Sequence, residues 1–167
     1  MPKTIAEERI KLVALNKAPE NVLAPTDAEL TGGIDLSKKV LFSDFRMSAT
    51  ASDTVSEPAL SEGGNSSIPG KSNFEASVTL FRFLDDSGTP ITEEDDGWDL
   101  LRTKGAEVHF YKRIGPKFSD PFSPGQAIEY YHCLTDMPQD PSDLTGYIKK
   151  TIPMFAQGDS NPDAVVA

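Results

Sequence analysis

The sequence predicts a mainly β protein: an antiparallel sandwich or barrel with one flanking helix. Three observations carry that expectation. Apolar and polar residues alternate in six separate stretches, and a period of two is the pattern of a strand with one buried face. The 13 prolines and 12 glycines separate those stretches, as the turns of a β-rich chain require. Only residues 94–104 combine a helix's charge order with a helix stop signal.

Taken in order, Arg9–Leu15 alternates Ile10, Leu12 and Ala14 with Lys11, Val13 and Leu15, a first strand. Thr26 and Glu29 then stand at capping-box spacing ahead of Leu30 and a Gly32-Gly33 stop, which predicts a helical turn or two. Phe45–Ala51 alternates weakly. Residues 52–73, rich in Ser, Gly, Glu and Pro, are too polar to be buried and form a long loop, a length usually tied to function. Phe74–Leu80 alternates cleanly, with Phe74, Ala76, Val78 and Leu80 against Glu75, Ser77 and Thr79. Phe81, Phe83 and Leu84 follow on both faces, which predicts a strand end covered twice.

Thr92 caps the expected helix, acidic Glu93–Asp96 fill its first turn, Arg102 and Lys104 its last, and Gly105 ends it. Three more strands are expected. In Ala106–Ile114, Ala106, Val108, Phe110 and Ile114 oppose Glu107, His109, Tyr111 and Arg113. In Gln126–Thr135, Ile128, Tyr130 and Leu134 oppose Glu129, Tyr131 and Cys133. In Gly146–Phe155, Pro153 marks an edge or a bulge. Gln157–Ala167 shows no packing pattern and reads as a polar tail.

At 167 residues the chain is most simply one domain, 1–167, large enough for a real core. A formal charge of −10 argues against sequence-independent nucleic-acid binding, which needs a basic surface to displace counterions. No apolar run approaches the roughly 20 residues of a membrane-spanning helix. Glu7, Glu8, Arg9 and Lys11 interrupt any signal-peptide core, and the single Cys133 precludes an internal disulfide. An intracellular protein is expected.

Motifs with chemical promise fail on context. Gly64–Ser72 (GNSSIPGKS) puts five residues between its glycines where a phosphate-binding loop needs four, and a strand follows instead of a helix. His132 and Cys133 are adjacent on a strand and point to opposite faces, so they cannot share an ion or act as a nucleophile pair. Glu93–Asp96 lacks the alternate spacing of a calcium loop, and helix capping accounts for it. Tyr111, Tyr130, Tyr131 and Phe155 are explained by cross-strand packing as well as by a stacking platform. The sequence offers no catalytic constellation, no cofactor site and no metal spacing.

Several segments taken together are specific. They are Ser48-Ala49-Thr50-Ala51-Ser52-Asp53, Ser56-Glu57-Pro58-Ala59-Leu60, Asn73–Ser77 leading into Thr79–Leu84, Trp98–Gly105, Asp136–Pro141 and Gly146–Pro153. In this order and spacing the chain, from Phe45 to Pro153, resembles the major tail proteins of long-tailed actinobacteriophages. The resemblance implies a tail tube protein with two packed β-sheets and a flanking helix. It also implies homo-oligomeric hexameric rings, stacked into a tube that conducts DNA from capsid to host. The implied location is the virion tail, assembled in the host cytoplasm, with the tape measure, tail terminator and distal tail proteins as partners.

On that reading the long loop and flexible N- and C-terminal arms bind adjacent subunits, with Thr54, Glu57, Glu62, Asn65 and Lys71 as contact residues. Lumen lining is expected from the polar strand faces: Glu75, Ser77 and Thr79, Glu107 and His109, or Lys149 and Thr151. An acidic channel repels phosphate and lets DNA slide. Two alternatives stay open. One is a secretion-tube ring protein of related architecture. The other is a β-sandwich module that binds a ligand with its aromatics and loop.

Overall fold

The computed structural model describes residues 1–167. In chain order the elements are β1 (Ile10–Leu15), α1 (Asp27–Thr31), β2 (Ile34–Asp35), a 3-10 turn (Phe42–Asp44), β3 (Arg46–Thr50), β4 (Thr54–Val55), β5 (Ile68–Pro69), β6 (Asn73–Phe81), α2 (Asp96–Leu101), β7 (Glu107–Ile114), β8 (Ala127–Thr135), β9 (Lys149–Ala156) and β10 (Asn161–Val165). The six long strands stand where alternation places them. The two-residue strands β2, β4 and β5 are too short to show a period.

Eight strands form one antiparallel sheet in the order β2-β1-β7-β8-β9-β6-β3, with β10 joining β8 beside β9. β8 is long enough to pair with β9 through Cys133–Thr135 and with β10 through Ala127–Tyr130. The sheet curls, so β1–β7–β8 faces β9–β6–β3 across a first core that includes Leu12, Val108, Phe110, Met47, Val78, Leu80 and Ile152. Each such side chain, removed wholly from water, contributes about 1.5–3 kcal/mol. Lys112 also spans this core. Its Nζ donates to the Met47 carbonyl at 2.7 Å and pairs with Glu129 at 2.7 Å, while Tyr131 donates to the same carboxylate at 2.6 Å.

A second core lies on the outer side of β1–β7–β8, where Val13, Leu15, Tyr111, Ile128 and Tyr130 meet Leu30 of α1, Phe122, Ala164 and Val166. Here the tail expectation is corrected. Residues 161–165 form β10, and the Ala167 and Val165 amides donate to the Pro25 and Leu23 carbonyls at 2.9 and 3.0 Å. Pro162 and Asp163 interrupt the segment, so its two anchors, Ala164 and Val166, leave little pattern to read. Residues 1–7 are exposed and carry no regular structure.

α1 forms with the reciprocal capping box that Thr26 and Glu29 predict. Gly33 is required at its exit, because a Cβ there would sit 2.5 Å from Leu15 and 2.6 Å from Val13. α2 is shorter than the expected 94–104. Thr92–Glu94 form turns, and Asp95 occupies the N-cap position without capping the helix. Its buried carboxylate is committed elsewhere. It accepts from Arg82 Nη2 at 2.7 Å, Arg82 Nε at 3.0 Å and the Phe83 amide at 3.1 Å. The Arg82 guanidinium also stacks 4.2 Å from the Trp98 ring centre. The strand before it stops at Phe81, so Phe83 and Leu84 are half-buried loop residues, with Leu84 bridging to Pro90. The helix also ends early, with Arg102 as its C-cap, so Arg102 and Lys104 do not fill its last turn and Gly105 does not end it. Gly105, with φ +79°, instead turns the chain toward β7 and donates its amide to the Thr135 carbonyl at 2.8 Å. The edge or bulge expected at Pro153 is not found: β9 lies between β8 and β6, and Pro153 pairs in unbroken register with Ser77 while its carbonyl accepts from the Asp136 amide at 2.9 Å.

Asp95→Ala leaves the Arg82 guanidinium unpaired in a site where it is only 13% exposed, and the expected loss is about 3–5 kcal/mol by urea denaturation. Asp96→Ala removes only the half-exposed partner of Lys39 and is expected to lose under about 1 kcal/mol. Equal losses would mean that the Asp95 pair is not the anchor of this region. Cys133 is fully buried, and burial pushes its thiol up to about 12. A thiol reagent at pH 8 is therefore expected to leave the folded protein untouched and to label one thiol after unfolding.

Candidate assembly surfaces

The register fixes which side chains share a face. Thr79 stands opposite Thr151, Phe81 opposite Lys149, Leu134 opposite Phe155, and Glu107 opposite Leu134. With strand side chains alternating, Glu75, Ser77, Thr79, Lys149, Thr151, Glu107 and His109 therefore all occupy the outer face of the curled sheet. The curl divides that face into two halves. Over β7 and β8 it is covered by α1, Phe122 and the β10 region; over β3, β6 and β9 it is open.

On the open half, Arg46 pairs with Glu75 across β3 and β6, and Ser48, Ser77, Thr151 and Phe155 stand beside them with surface to spare. Two expected lining residues have no such surface. Thr79 is fully buried, because its hydroxyl donates to Asp44 of the 3-10 turn at 2.5 Å and meets the Thr151 hydroxyl at 2.8 Å. His109 is buried on the covered half, with Nδ1 2.8 Å from the Tyr130 hydroxyl. Glu107 lies at the margin between the halves and is exposed.

β3 pairs only with β6, so its far side is an open edge. The chain leaves β3 directly into residues 52–72, which form an exposed hairpin. β4 and β5 pair Thr54 with Pro69 and Val55 with Ile68. Asn73 holds its base by donating to the Ala51 carbonyl at 3.1 Å and to Asp53 at 2.9 Å. Thr54, Glu57, Glu62, Asn65 and Lys71 are all exposed on it. Sequence reasoning chose these polar residues and passed over the apolar ones on the same hairpin: Val55, Leu60 and Ile68, all exposed. A second exposed apolar group comprises Leu144, Tyr147 and Ile148, where the Tyr147 ring packs edge-on 5.8 Å from Phe81. The signal that finds them is apolar residues in an otherwise polar loop.

An apolar groove of about 190 Å³ opens between β1 and residues 36–45, lined by Ile10, Leu12, Leu36, Val40, Phe42 and Phe45 with Phe118. Elsewhere, pairing of β7 with β8 places His109 directly opposite His132 and brings Glu107 to both. Sequence spacing did not show this grouping, because the 115–126 connection does not fix the register.

Compared with known proteins, the whole chain, residues 1–167, matches the family model described as "Phage tail tube protein". No curated protein matches at a significant level. Among solved structures, a chain of the "Cryo-EM structure of the anti-feeding prophage (AFP) baseplate, 6-fold symmetrised" is similar in fold. It has a TM-score of 0.51 and 13% identity, over 96% of each chain.

Proposed function

The chain belongs to the phage tail tube protein family, and from that premise we propose that it forms closed hexameric rings that stack into the tail tube and conduct DNA. A structural role in the virion's tail is the reading on which the sequence resemblance and the family agree. The observation that best supports ring formation is the unpaired edge of β3, bordered by a polar sheet face that nothing in the protomer covers. Closing strands into a ring removes such an edge, which is otherwise a template for uncontrolled pairing.

In this proposal the open half of the outer face, with Ser48, Glu75, Ser77, Lys149 and Thr151, contributes the lumen wall. Glu107 stands at its rim. Thr79 and His109 support the wall from within the protomer. The hairpin of residues 52–72 reaches an adjacent ring, with Leu60 and Ile68 as apolar anchors and Thr54, Glu57, Glu62, Asn65 and Lys71 around them. The groove lined by Phe42, Phe45 and Phe118 is the recess of matching character on a neighbouring protomer. The role is mechanical, with assembly in the host cytoplasm, and the partners are further copies of the chain and the proteins that start, measure and end a tail.

Negative-stain electron microscopy with sedimentation velocity tests this. The full chain is expected to give rings and hollow tubes as its concentration rises. Leu60→Asp combined with Ile68→Asp alters only exposed side chains, so circular dichroism should be unchanged while tubes give way to single rings. Rings that stack equally well in the double variant would remove the hairpin from the inter-ring contact. Monomers at every concentration, in the presence of tubes as seeds, would sink the ring proposal itself.

A further inference from the structure

We propose that Glu107, His109 and His132 form a site for one zinc-class divalent cation, with Nε2 of each imidazole and a carboxylate oxygen of Glu107 as ligands. The arrangement follows from β pairing. His109 and His132 are direct cross-strand partners, and their rings stack with centres 4.8 Å apart and planes 17° apart. Glu107 precedes His109 by two residues, so its side chain leaves the same face and reaches both rings. Glu107 Oε1 lies 2.8 Å from His132 Nε2 and 3.7 Å from His109 Nε2, and the three donor atoms fall within 4.8 Å of one another. Zinc bonds of about 2.0–2.1 Å in tetrahedral geometry separate ligand atoms by roughly 3.3 Å. The two short separations straddle that value, so small side-chain rotations bring the set onto one ion.

The surroundings of the rings favour coordination. A ligating histidine ordinarily donates its second nitrogen to a neighbour, which fixes the tautomer and aims the first. Both rings have that neighbour. His132 Nδ1 is 2.8 and 3.0 Å from the Asp159 oxygens, and His109 Nδ1 is 2.8 Å from the Tyr130 hydroxyl. Protons on the two Nδ1 atoms leave both Nε2 lone pairs directed toward Glu107. His132 Nε2 is itself buried and lacks an aligned hydrogen bond, despite the nearby carboxylate. Burial first, and the adjacent His132 second, hold His109 below the usual imidazole range. Two imidazoles and one carboxylate suit zinc among the common divalent ions. Glu107 is more than half exposed, so the fourth position opens to solvent.

The ion would also be tied to the C-terminal segment. Asp159 belongs to the turn between β9 and β10, and His132 donates there twice, from ring Nδ1 to the Asp159 carboxylate and from its backbone amide to Ser160 Oγ at 3.1 Å. Cation binding therefore fastens the β7–β8 pair to the strand that closes the second core. This inference does not rest on ring formation.

The test is cobalt titration of the full chain after chelator treatment, followed by zinc competition. One equivalent per protomer should produce the intense visible bands of four-coordinate cobalt, and zinc should abolish them. Glu107→Gln, at an exposed position that leaves the fold intact, and His132→Gln should each eliminate the bands. Asp159→Asn, which touches only the outer shell, should weaken binding by about 10- to 100-fold. A spectrum indistinguishable from aqueous cobalt would overturn the proposal and leave the four groups as an ion-pair cluster. Bands that persist in the Glu107→Gln, His132→Gln double variant would overturn it equally, by placing the metal elsewhere.

Discussion

The structure depends on β7 being buried on both faces. Its inward residues, Val108 and Phe110, pack in the first core, and its outward residues, His109, Tyr111 and Arg113, are buried as well. A polar group withdrawn from water must find a partner or lose about 1–3 kcal/mol. The surrounding elements supply partners for most of them, Arg113 Nε being left without one. Tyr111 donates to the Val22 carbonyl at 2.8 Å, which fixes the loop ahead of α1. Arg113 donates to the carbonyls of Lys117, Asp120 and Pro121 at 2.7–3.0 Å and lies 5.1 Å from the Phe122 ring centre. That one guanidinium organises the 115–126 connection. With the loop, α1 and the C-terminal strand drawn over β7 in this way, one half of the sheet's outer face is closed and the other half remains free.

This is also where sequence and structure part. The clean alternation of β6 was legible because one of its faces is open over most of its length. In β7 and β8 the same alternation is present, but both faces are buried. Polarity there marks residues with specific hydrogen-bond partners instead of residues in water. Cys133 and Tyr131 pack in the first core while Ile128 and Tyr130 pack in the second. Nothing in the local pattern distinguishes those cases, since the covering elements come from residues 22–30 and 160–167. α1 was legible because its capping box is a contact between residues three apart. The start of α2 was not, because Asp95 serves a long-range ion pair with Arg82. The same holds for the candidate sites. The exposed hairpin could be read from composition, but His109 and His132 meet only through the β7–β8 register.

The uneven covering of the sheet gives the assembly proposal its physical content. A protomer that leaves one sheet face polar, one strand edge unpaired and one hairpin projecting has three surfaces that a ring stack would use separately. In the proposed stack the edge would serve lateral contacts, the face the channel and the hairpin the axial contacts. The groove beside Phe42 and Phe45 lies between β1 and the segment that leads into β3.

The charge of the proposed lumen deserves a finer argument than the net value of −10. The acidic residues that produce that excess crowd the loops, among them Asp85, Asp86, Glu93 and Glu94, while the open sheet face carries Arg46, Glu75 and Lys149. Arg46 pairs with Glu75, while Lys149 donates to the neutral Thr145 carbonyl at 2.9 Å and keeps its charge. Retention of DNA requires free cations that displace counterions from successive phosphates. A wall of hydroxyls with one paired cation and Lys149 supplies few. Passage of a polyanion through such a channel would then rest on the scarcity of footholds more than on repulsion.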